Sequence, residues 1–329
     1  MNASKRTITE DRSQCMKLAL IFNGQGAHYA GMGMDFDRQF PQASAVYEQA
    51  EAVTGWPLRE WIQQEPERFG QTRYAQVAIT STSLAIYRSI QDLLPPVSYM
   101  AGLSLGEYSA LVASGALDQA SAFALLQERG ELMSRQCEAL ASDSPCQMAA
   151  VMGVPYEECQ ALVAQVADQE PLYIANINSS AQIIVAGTIA AVERFKEIAK
   201  AAGYKKVIPL KVEGPFHSPL MANAQEAMAQ ALEKVTFKQG DVPVISNTTL
   251  DLHQPESLSQ VLVRHLVEPV YWKQTIDKLV EEGVTHLVQI GPGNTLAGLL
   301  KREGLPLKVQ VLDKVEDLDA LKNFLTEEE

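Results

Sequence analysis

The sequence contains little cysteine, little positive charge and no long apolar run. Its four cysteines are Cys15, Cys137, Cys146 and Cys159. They show no C-x-x-C spacing, which argues against a disulfide framework or a metal site and indicates reduced thiols. The 27 Lys and Arg against 40 Asp and Glu leave a net charge of −13, which argues against nucleic acid or an anionic membrane as a partner.

No apolar stretch approaches the ~20 residues that span a bilayer, so no membrane partner is expected. Residues 1–13 are polar with mixed charge and lack the apolar centre of a signal peptide, so we interpret 1–15 as a flexible tail. A cytoplasmic location follows as the default expectation. The chain has 329 residues, of which 47% are hydrophobic, enough for one large domain or two unequal ones.

Alternating apolar strands and amphipathic helices predict an α/β fold with a mainly parallel sheet covered on both faces. The predicted strands of this part lie at 17–22, 97–101, 242–246 and 286–290. Its predicted helices lie at 40–54, 77–94, 120–140, 219–235, 257–266 and 272–282. The sequence thus predicts a large core formed by residues 16–136 and 209–329.

In residues 137–208 the predicted strands and helices follow a different order. Strands are predicted at 148–152, 172–176, 182–186 and 206–210, with helices at 155–166 and 190–202. The resulting order βαββαβ is that of a ferredoxin-like unit. We therefore predict a separate ferredoxin-like subdomain, residues 137–208, inserted into the larger core.

The most informative motif is G-L-S-L-G at residues 102–106, between a predicted strand and a predicted helix. A G-x-S-x-G in this context is typical of a nucleophile elbow, in which the glycines permit a sharp turn at a helix N-terminus. The Ser104 hydroxyl would then be exposed, and the next backbone N–H could face an oxyanion. The alternative is a glycine-rich turn with an incidental serine.

A serine nucleophile needs a base, and His217 is the first candidate. It follows a predicted strand within E-G-P-F-H-S-P, at the carboxyl end of a strand, where open α/β sheets bind ligands. His28, which follows the glycine-rich loop N-G-Q-G-A, is a weaker candidate. The alternative for a loop histidine is a merely solvated or packed side chain.

Arg129 is a single arginine within an otherwise apolar helical stretch, L-L-Q-E-R-G. A guanidinium in such a place could bind a carboxylate in bidentate fashion. The alternative is an ion pair with Glu128, Glu131 or another acid.

Together these motifs resemble those of malonyl-CoA:acyl carrier protein transacylases and the related acyltransferase domains of polyketide synthases. The match is collinear over roughly residues 17–317. It covers residues 22–26, 31–33, 74–78, 102–108, 129–133, 176–182, 214–218, 269–272 and 290–293. The resemblance implies an α/β-hydrolase-like large core with an inserted ferredoxin-like βαββαβ subdomain.

The resemblance also implies catalytic roles. Ser104 is similar to the nucleophile that takes the acyl group, and His217 to its base and to the acid that protonates the departing thiolate. The backbone N–H groups of Gln25 and Leu105 correspond to the oxyanion hole. In the family a main-chain carbonyl orients the histidine. His265 occupies that position, where a glutamine is familiar.

Further residues correspond to the substrate-binding set of the family. Arg129 is similar to the clamp on the malonyl carboxylate, and Gln76 and Asn176 fall within the matched segments. Phe216 resembles the malonyl-selective pattern, because its ring should crowd an α-methyl branch. Leu103 departs from the histidine that the family commonly has before the nucleophile, which bears on selectivity between acyl groups and not on the base.

The activity implied by the resemblance is a ping-pong transfer of the malonyl group from malonyl-CoA to the phosphopantetheine thiol of acyl carrier protein, supplying fatty-acid synthesis. No cofactor or metal is expected, since the coenzyme A thioester is a substrate. Malonyl-CoA and acyl carrier protein are the expected partners of a monomer. An acidic carrier would need a local basic rim, for which the candidates are Lys205, Lys206, Lys211, Lys301 and Arg302.

Other functions stay open at this point. A freestanding polyketide acyltransferase would carry the same residues. A serine thioesterase or esterase usually has an acid between the serine and the histidine in the chain, and no residue between Ser104 and His217 marks one convincingly. A non-catalytic carrier-protein-binding module would be expected to lose Ser104, His217 or Arg129, and all three are present.

Overall fold

The computed structural model describes residues 16–326, and the tail predicted at 1–15 lies outside that range. The strands are β1 Leu18–Phe22, β2 Val97–Gly102, β3 Cys146–Met152, β4 Leu172–Ser179, β5 Gln182–Thr188, β6 Val207–Pro209, β7 His286–Ile290 and β8 Lys308–Leu312. The helices are α1 Met34–Gln39, α2 Pro41–Thr54, α3 Leu58–Gln64, α4 Thr72–Ile90, α5 Leu105–Ala113, α6 Gln119–Asp143, α7 Tyr156–Ala167, α8 Ile189–Ala201, α9 Gln225–Leu232, α10 Pro255–Arg264, α11 Trp272–Glu281, α12 Thr295–Leu300 and α13 Leu318–Thr326.

The first sheet is parallel and has the order β2-β1-β7-β8. Every residue of β1 and β7 is buried, as expected for parallel strands covered on both faces. Phe22 pairs with Gly102 on one side and with Ile290 on the other. The carboxyl ends of these three strands therefore meet at one edge, and the mainly parallel sheet predicted from the sequence is confirmed.

The second sheet is antiparallel throughout and has the order β4-β5-β3-β6. Helices α7 and α8 complete the predicted βαββαβ succession. Main-chain bonds join this sheet to the rest of the chain, because Ile177 N donates to Val270 O and Val270 N donates to Ala175 O, each at 2.9 Å. The ferredoxin-like arrangement is confirmed, whereas the limits of a separate subdomain at 137–208 stay a prediction.

Two predicted elements were wrong. Residues 242–246 form no strand but only isolated bridges, from Val244 to Met100 and from Ile245 to Leu252. Pro243 lacks the N–H that a ladder needs and offers only its carbonyl, which accepts from Met100 N at 2.9 Å. The single helix predicted at 219–235 is a 3₁₀ turn over Pro219–Ala224 followed by α9.

Candidate active site

Ser104 lies in a sharp turn between β2 and α5, with φ 52° and ψ −108°. A positive φ is strained for a residue with a side chain, and such strain is concentrated at functional sites. His217 also has a positive φ, of 55°. The turn needs its glycines, because a Cβ on Gly102 would lie 1.9 Å from the main-chain carbon of Gly106, and one on Gly106 2.1 Å from the carbonyl oxygen of Phe22.

The structure brings Ser104 and His217 into direct contact, with 2.7 Å between the serine Oγ and the histidine Nε2. On the other side of the ring, His217 Nδ1 lies 2.8 Å from the main-chain oxygen of His265. A carbonyl oxygen can only accept, so Nδ1 carries the proton and Nε2 is free to accept from the serine hydroxyl. The geometry is that of a nucleophile beside an oriented base.

His217 is buried, with 5% of its surface exposed. Burial, chiefly, and the positive charge of Arg129 lower the pKa of its imidazole, the bond to the His265 carbonyl acts in the opposite direction, and the resulting pKa is about 4. The imidazole is therefore neutral at pH 7 and able to take a proton.

Arg129 is 2% exposed, yet most of its hydrogen-bonding capacity is unused. Its Nη1 donates to Gln76 Oε1 at 2.8 Å, and its guanidinium lies 5.1 Å from the centre of the Tyr108 ring. Its Nε and Nη2 have no hydrogen-bond partner. A carboxylate would satisfy both the charge and the two free donors of such a buried cation. The assignment of Arg129 as the clamp on a carboxylate stays a prediction.

The ion pairs considered for Arg129 in the sequence do not form. Glu131 Oε1 accepts from Arg135 Nε at 2.7 Å, and Glu128 Oε1 lies 3.7 Å from Lys234 Nζ. Within residues 16–326, no carboxylate oxygen lies within 4.0 Å of a nitrogen of Arg129. The Nε and Nη2 donors of Arg129 are therefore not paired with any carboxylate of the described residues.

The loop after β1 lies directly against the elbow. Leu103 N donates to Phe22 O at 3.1 Å, and Gln25 is held by its side chain, whose Nε2 donates to Thr72 Oγ1 at 3.0 Å. Leu105 is the first residue of α5, where N–H groups have no partner within the helix. The assignment of the Gln25 and Leu105 N–H groups to an oxyanion hole stays a prediction.

In the part of the chain described, the side chains of the other predicted site residues make no hydrogen bond to those of Ser104, His217 and Arg129. Phe216 is buried in the main core and Asn176 is buried on β4. Leu103 packs at the edge of an apolar cluster, and the His28 ring lies 6.3 Å from that of Phe69. The candidate basic residues are exposed, and their relation to the site stays a prediction.

Sequence reasoning missed a buried polar cluster behind the elbow. The Glu107 carboxylate accepts from His253 Nε2 at 2.7 Å and from Asn247 N at 2.8 Å. The signal was an acid within the apolar helical stretch that follows the G-L-S-L-G motif.

Comparison with known proteins identifies the family. The acyl transferase domain family matches residues 19–311, most of the chain. The chain belongs to this family of acyl transferases. This acyl transferase is 36% identical over 315 residues to the malonyl CoA-acyl carrier protein transacylase of Bacillus subtilis, covering 95% of this chain and 98% of that one. It is 36% identical over 289 residues to the Escherichia coli K12 transacylase, covering 87% and 92%.

Solved structures agree. The acyl transferase superposes on the crystal structure of MCAT from Streptococcus pneumoniae with a TM-score of 0.89 and 40% identity, covering 94% of this chain and 100% of that one. A second structure, with a TM-score of 0.89, 34% identity and coverage of 94% and 99%, is described as a type II PKS acyl-carrier protein in complex with its malonyl-transacylase. No helix within residues 16–326 is long and apolar enough to cross a membrane.

Proposed function

We propose that this acyl transferase moves the malonyl group from malonyl-CoA to the phosphopantetheine thiol of acyl carrier protein, through a malonyl ester on Ser104. The observation that carries the proposal is a serine and histidine in hydrogen-bond contact, and a buried guanidinium with two free donors supports it. The names of the relatives at 36% identity support the choice of acyl group and carrier.

Acylation begins with the Ser104 hydroxyl hydrogen-bonded to His217 Nε2. The serine oxygen attacks the thioester carbon as its proton passes to Nε2, and the imidazolium keeps its Nδ1–H on the His265 carbonyl. Negative charge grows on the former carbonyl oxygen, where the N–H groups of Gln25 and Leu105 would meet it. Losing one such donor typically costs about 2.7–4 kcal/mol of transition-state stabilisation. The tetrahedral species then expels coenzyme A thiolate, which takes the proton from His217.

Transfer to the carrier runs the same steps in reverse. The carrier thiol gives its proton to His217 Nε2, and the thiolate attacks the ester carbon of malonyl-Ser104. The departing serine oxygen recovers the proton from the imidazolium. One base therefore serves both halves of the reaction, because each half consumes and returns one proton.

Arg129 selects an acyl group that carries its own carboxylate. A malonyl carboxylate can accept from Nε and Nη2, the two donors that the folded chain leaves free. An acetyl group would leave both unsatisfied in a buried place, which is unfavourable. We propose that this pairing also holds the ester carbonyl away from attack by water.

We extend the proposal to the setting of the reaction. The residues assigned to the steps supply every proton and charge that the steps need, so we propose that no cofactor takes part. We also propose that the enzyme works as a monomer in the cytoplasm. Fatty-acid synthesis is the proposed destination of the malonyl group. The alternative is a polyketide pathway, since one solved relative is described with a type II PKS carrier.

The test is the fate of the malonyl group. The protein is mixed with radiolabelled malonyl-CoA and phosphopantetheinylated acyl carrier protein, and label is counted on the carrier thiol and as free malonate. We expect label on the carrier with wild-type protein and none above background with Ser104→Ala. Release of most of the label as malonate would instead show a thioesterase. If label appears neither on the carrier nor as free malonate, the protein is a non-catalytic module.

A further inference from the structure

Glu107 is a buried carboxylate that the proposed steps do not use. It lies in the first turn of α5, which begins directly after Ser104, and none of its surface is exposed. Oε1 accepts from His253 Nε2 at 2.7 Å, and Oε2 accepts from the main-chain and side-chain nitrogens of Asn247. The carboxylate is thus held by donors from one segment, residues 247–253, which is distant from it in the chain.

The side-chain amide of Asn247 links Glu107 to Gly102 and His265, and it can do so in only one orientation. Its Nδ2 donates to Glu107 Oε2 and, at 2.8 Å, to the carbonyl of Gly102, the residue two positions before Ser104. Both amide hydrogens are then used. Because a carboxylate and a carbonyl accept only, this fixes the orientation of the amide. Its Oδ1, which can only accept, lies 3.2 Å from His265 Nε2.

The side chain of His265 is therefore fixed in one protonation state. Nε2 must carry a hydrogen to donate to Asn247 Oδ1, and Nδ1 has no hydrogen-bond partner. Burial lowers the pKa of this imidazole well below its usual value, so it is neutral. The main-chain carbonyl of the same residue accepts from His217 Nδ1.

We propose that Glu107, Asn247 and His265 form a positioning relay that fixes the His265 carbonyl, and with it the tautomer and orientation of His217, relative to Ser104. The relay begins on helix α5, which follows Ser104. It ends at the His265 carbonyl, which accepts the hydrogen bond from the proposed base, His217. The inference rests on the proposed function of Ser104 and His217. It assigns to the side chain of His265 a role separate from that of its carbonyl.

Two substitutions at one position separate the relay from simple packing. His265→Leu keeps the main-chain carbonyl and removes the donor to Asn247, whereas His265→Gln keeps an N–H donor. A misplacement of the base by about 1 Å can lower the rate by about 100-fold. We therefore expect His265→Leu to lower kcat by about that factor with little change in KM for malonyl-CoA. His265→Gln should retain most of the wild-type kcat.

Ser109→Ala is the matched control, because Ser109 lies on the same helix α5, is fully buried and has an Oγ without a partner. It should leave kcat unchanged. Equal kcat in His265→Leu and wild type would overturn the relay, as would an equal loss in His265→Leu and His265→Gln.

A second measurement needs no variant. Long-range ¹H–¹⁵N correlation spectra of wild-type protein report which imidazole nitrogens carry hydrogen. The relay requires hydrogen on Nε2 of His265 and on Nδ1 of His217, and hydrogen on Nδ1 of His265 would overturn it. Absence of malonyl-Ser104 in the wild type would instead overturn the proposed function, while these spectra would still decide the relay.

Discussion

The molecule contains two buried side chains of opposite formal charge that the fold treats differently. Glu107, with none of its surface exposed, accepts hydrogen bonds from His253 and from two nitrogens of Asn247. Arg129, 2% exposed, makes one hydrogen bond to Gln76 and leaves Nε and Nη2 free. The carboxylate is fully partnered within the fold, whereas the guanidinium keeps two donors that we propose a ligand occupies.

Desolvation explains why the difference matters. A buried charge is unfavourable unless hydrogen bonds or an opposite charge offset the loss of water. The surroundings of Glu107 provide that offset in the free protein. The surroundings of Arg129 do not. A carboxylate bound there would therefore offset a desolvation cost that is uncompensated in the free protein. Lowered stability at a binding site is the usual cost of function.

The largest effect should come from Arg129→Met. Without the guanidinium the malonyl carboxylate is buried without a partner, and we expect kcat/KM for malonyl-CoA to fall about 1,000-fold, about 4 kcal/mol. Acetyl transfer should be unchanged or faster. Steady-state kinetics with both thioesters measure the ratio. Arg135→Met is the matched control, because Arg135 lies on the same helix with 70% of its side chain exposed.

An unchanged preference for malonyl over acetyl in Arg129→Met would contradict the contrast drawn between Glu107 and Arg129, because the free guanidinium would then have no part in recognition. An equal loss in Arg135→Met would show that the effect comes from helix α6 as a whole.

The stabilities of two variants should change in opposite directions. Glu107→Gln removes the charge at the centre of a satisfied cluster, and we expect the free energy of unfolding to fall by about 3 kcal/mol. Arg129→Met replaces an unpartnered buried charge by an apolar side chain, and we expect a gain of about 1–3 kcal/mol. Urea unfolding of both variants and the wild type checks this. A loss of stability in Arg129→Met would contradict the comparison.

Acid should destabilise the folded protein through the buried imidazole of His217. Burial and the charge of Arg129 hold the pKa of His217 at about 4, against 6.5 unfolded. The unfolded chain therefore binds more protons between these values. Stability is full above about pH 6.5 and falls by about 3 kcal/mol as the pH drops to about 4. Urea unfolding from pH 7 to 4 measures the slope, which should be shallower in His217→Ala. Equal slopes would contradict the assignment.

A smaller effect tests whether the charge of Arg129 acts on the proposed base, His217. Arg129 lowers the pKa of His217 through its positive charge. In Arg129→Met that contribution is lost, so the pKa rises and the acid limb of kcat/KM for acetyl-CoA should move to higher pH. The profile is measured against wild type with the same thioester. An unmoved limb would show that the guanidinium does not act on the base.

The sequence was sufficient to predict the contact between Ser104 and His217. Each lies in a glycine- or proline-bounded turn, and the resemblance to the acyltransferase family paired them as nucleophile and base. The strand-end argument was right for Ser104, which follows β2 of the parallel sheet, and wrong for His217, because the strand before it, β6, belongs to the antiparallel sheet. The freedom of Arg129 could not be predicted, because it depends on where Glu128 and Glu131 point, and these acids pair with Lys234 and Arg135.

The cluster around Glu107 could not be predicted either. Its members come from positions 107, 247, 253 and 265, and nothing local in the chain shows that they meet. Burial decides their roles, and burial is a property of the folded chain. Strand β8 was missed for a related reason, since K-V-Q-V-L is only partly buried at the edge of the sheet.

The most direct test of the account is the mass of the intact protein after mixing with malonyl-CoA alone, followed by peptide mapping. We expect one malonyl group per chain on the peptide that contains Ser104, none in Ser104→Ala, and far less label from acetyl-CoA. No adduct, an adduct on a residue other than Ser104, or equal labelling by acetyl-CoA would contradict it.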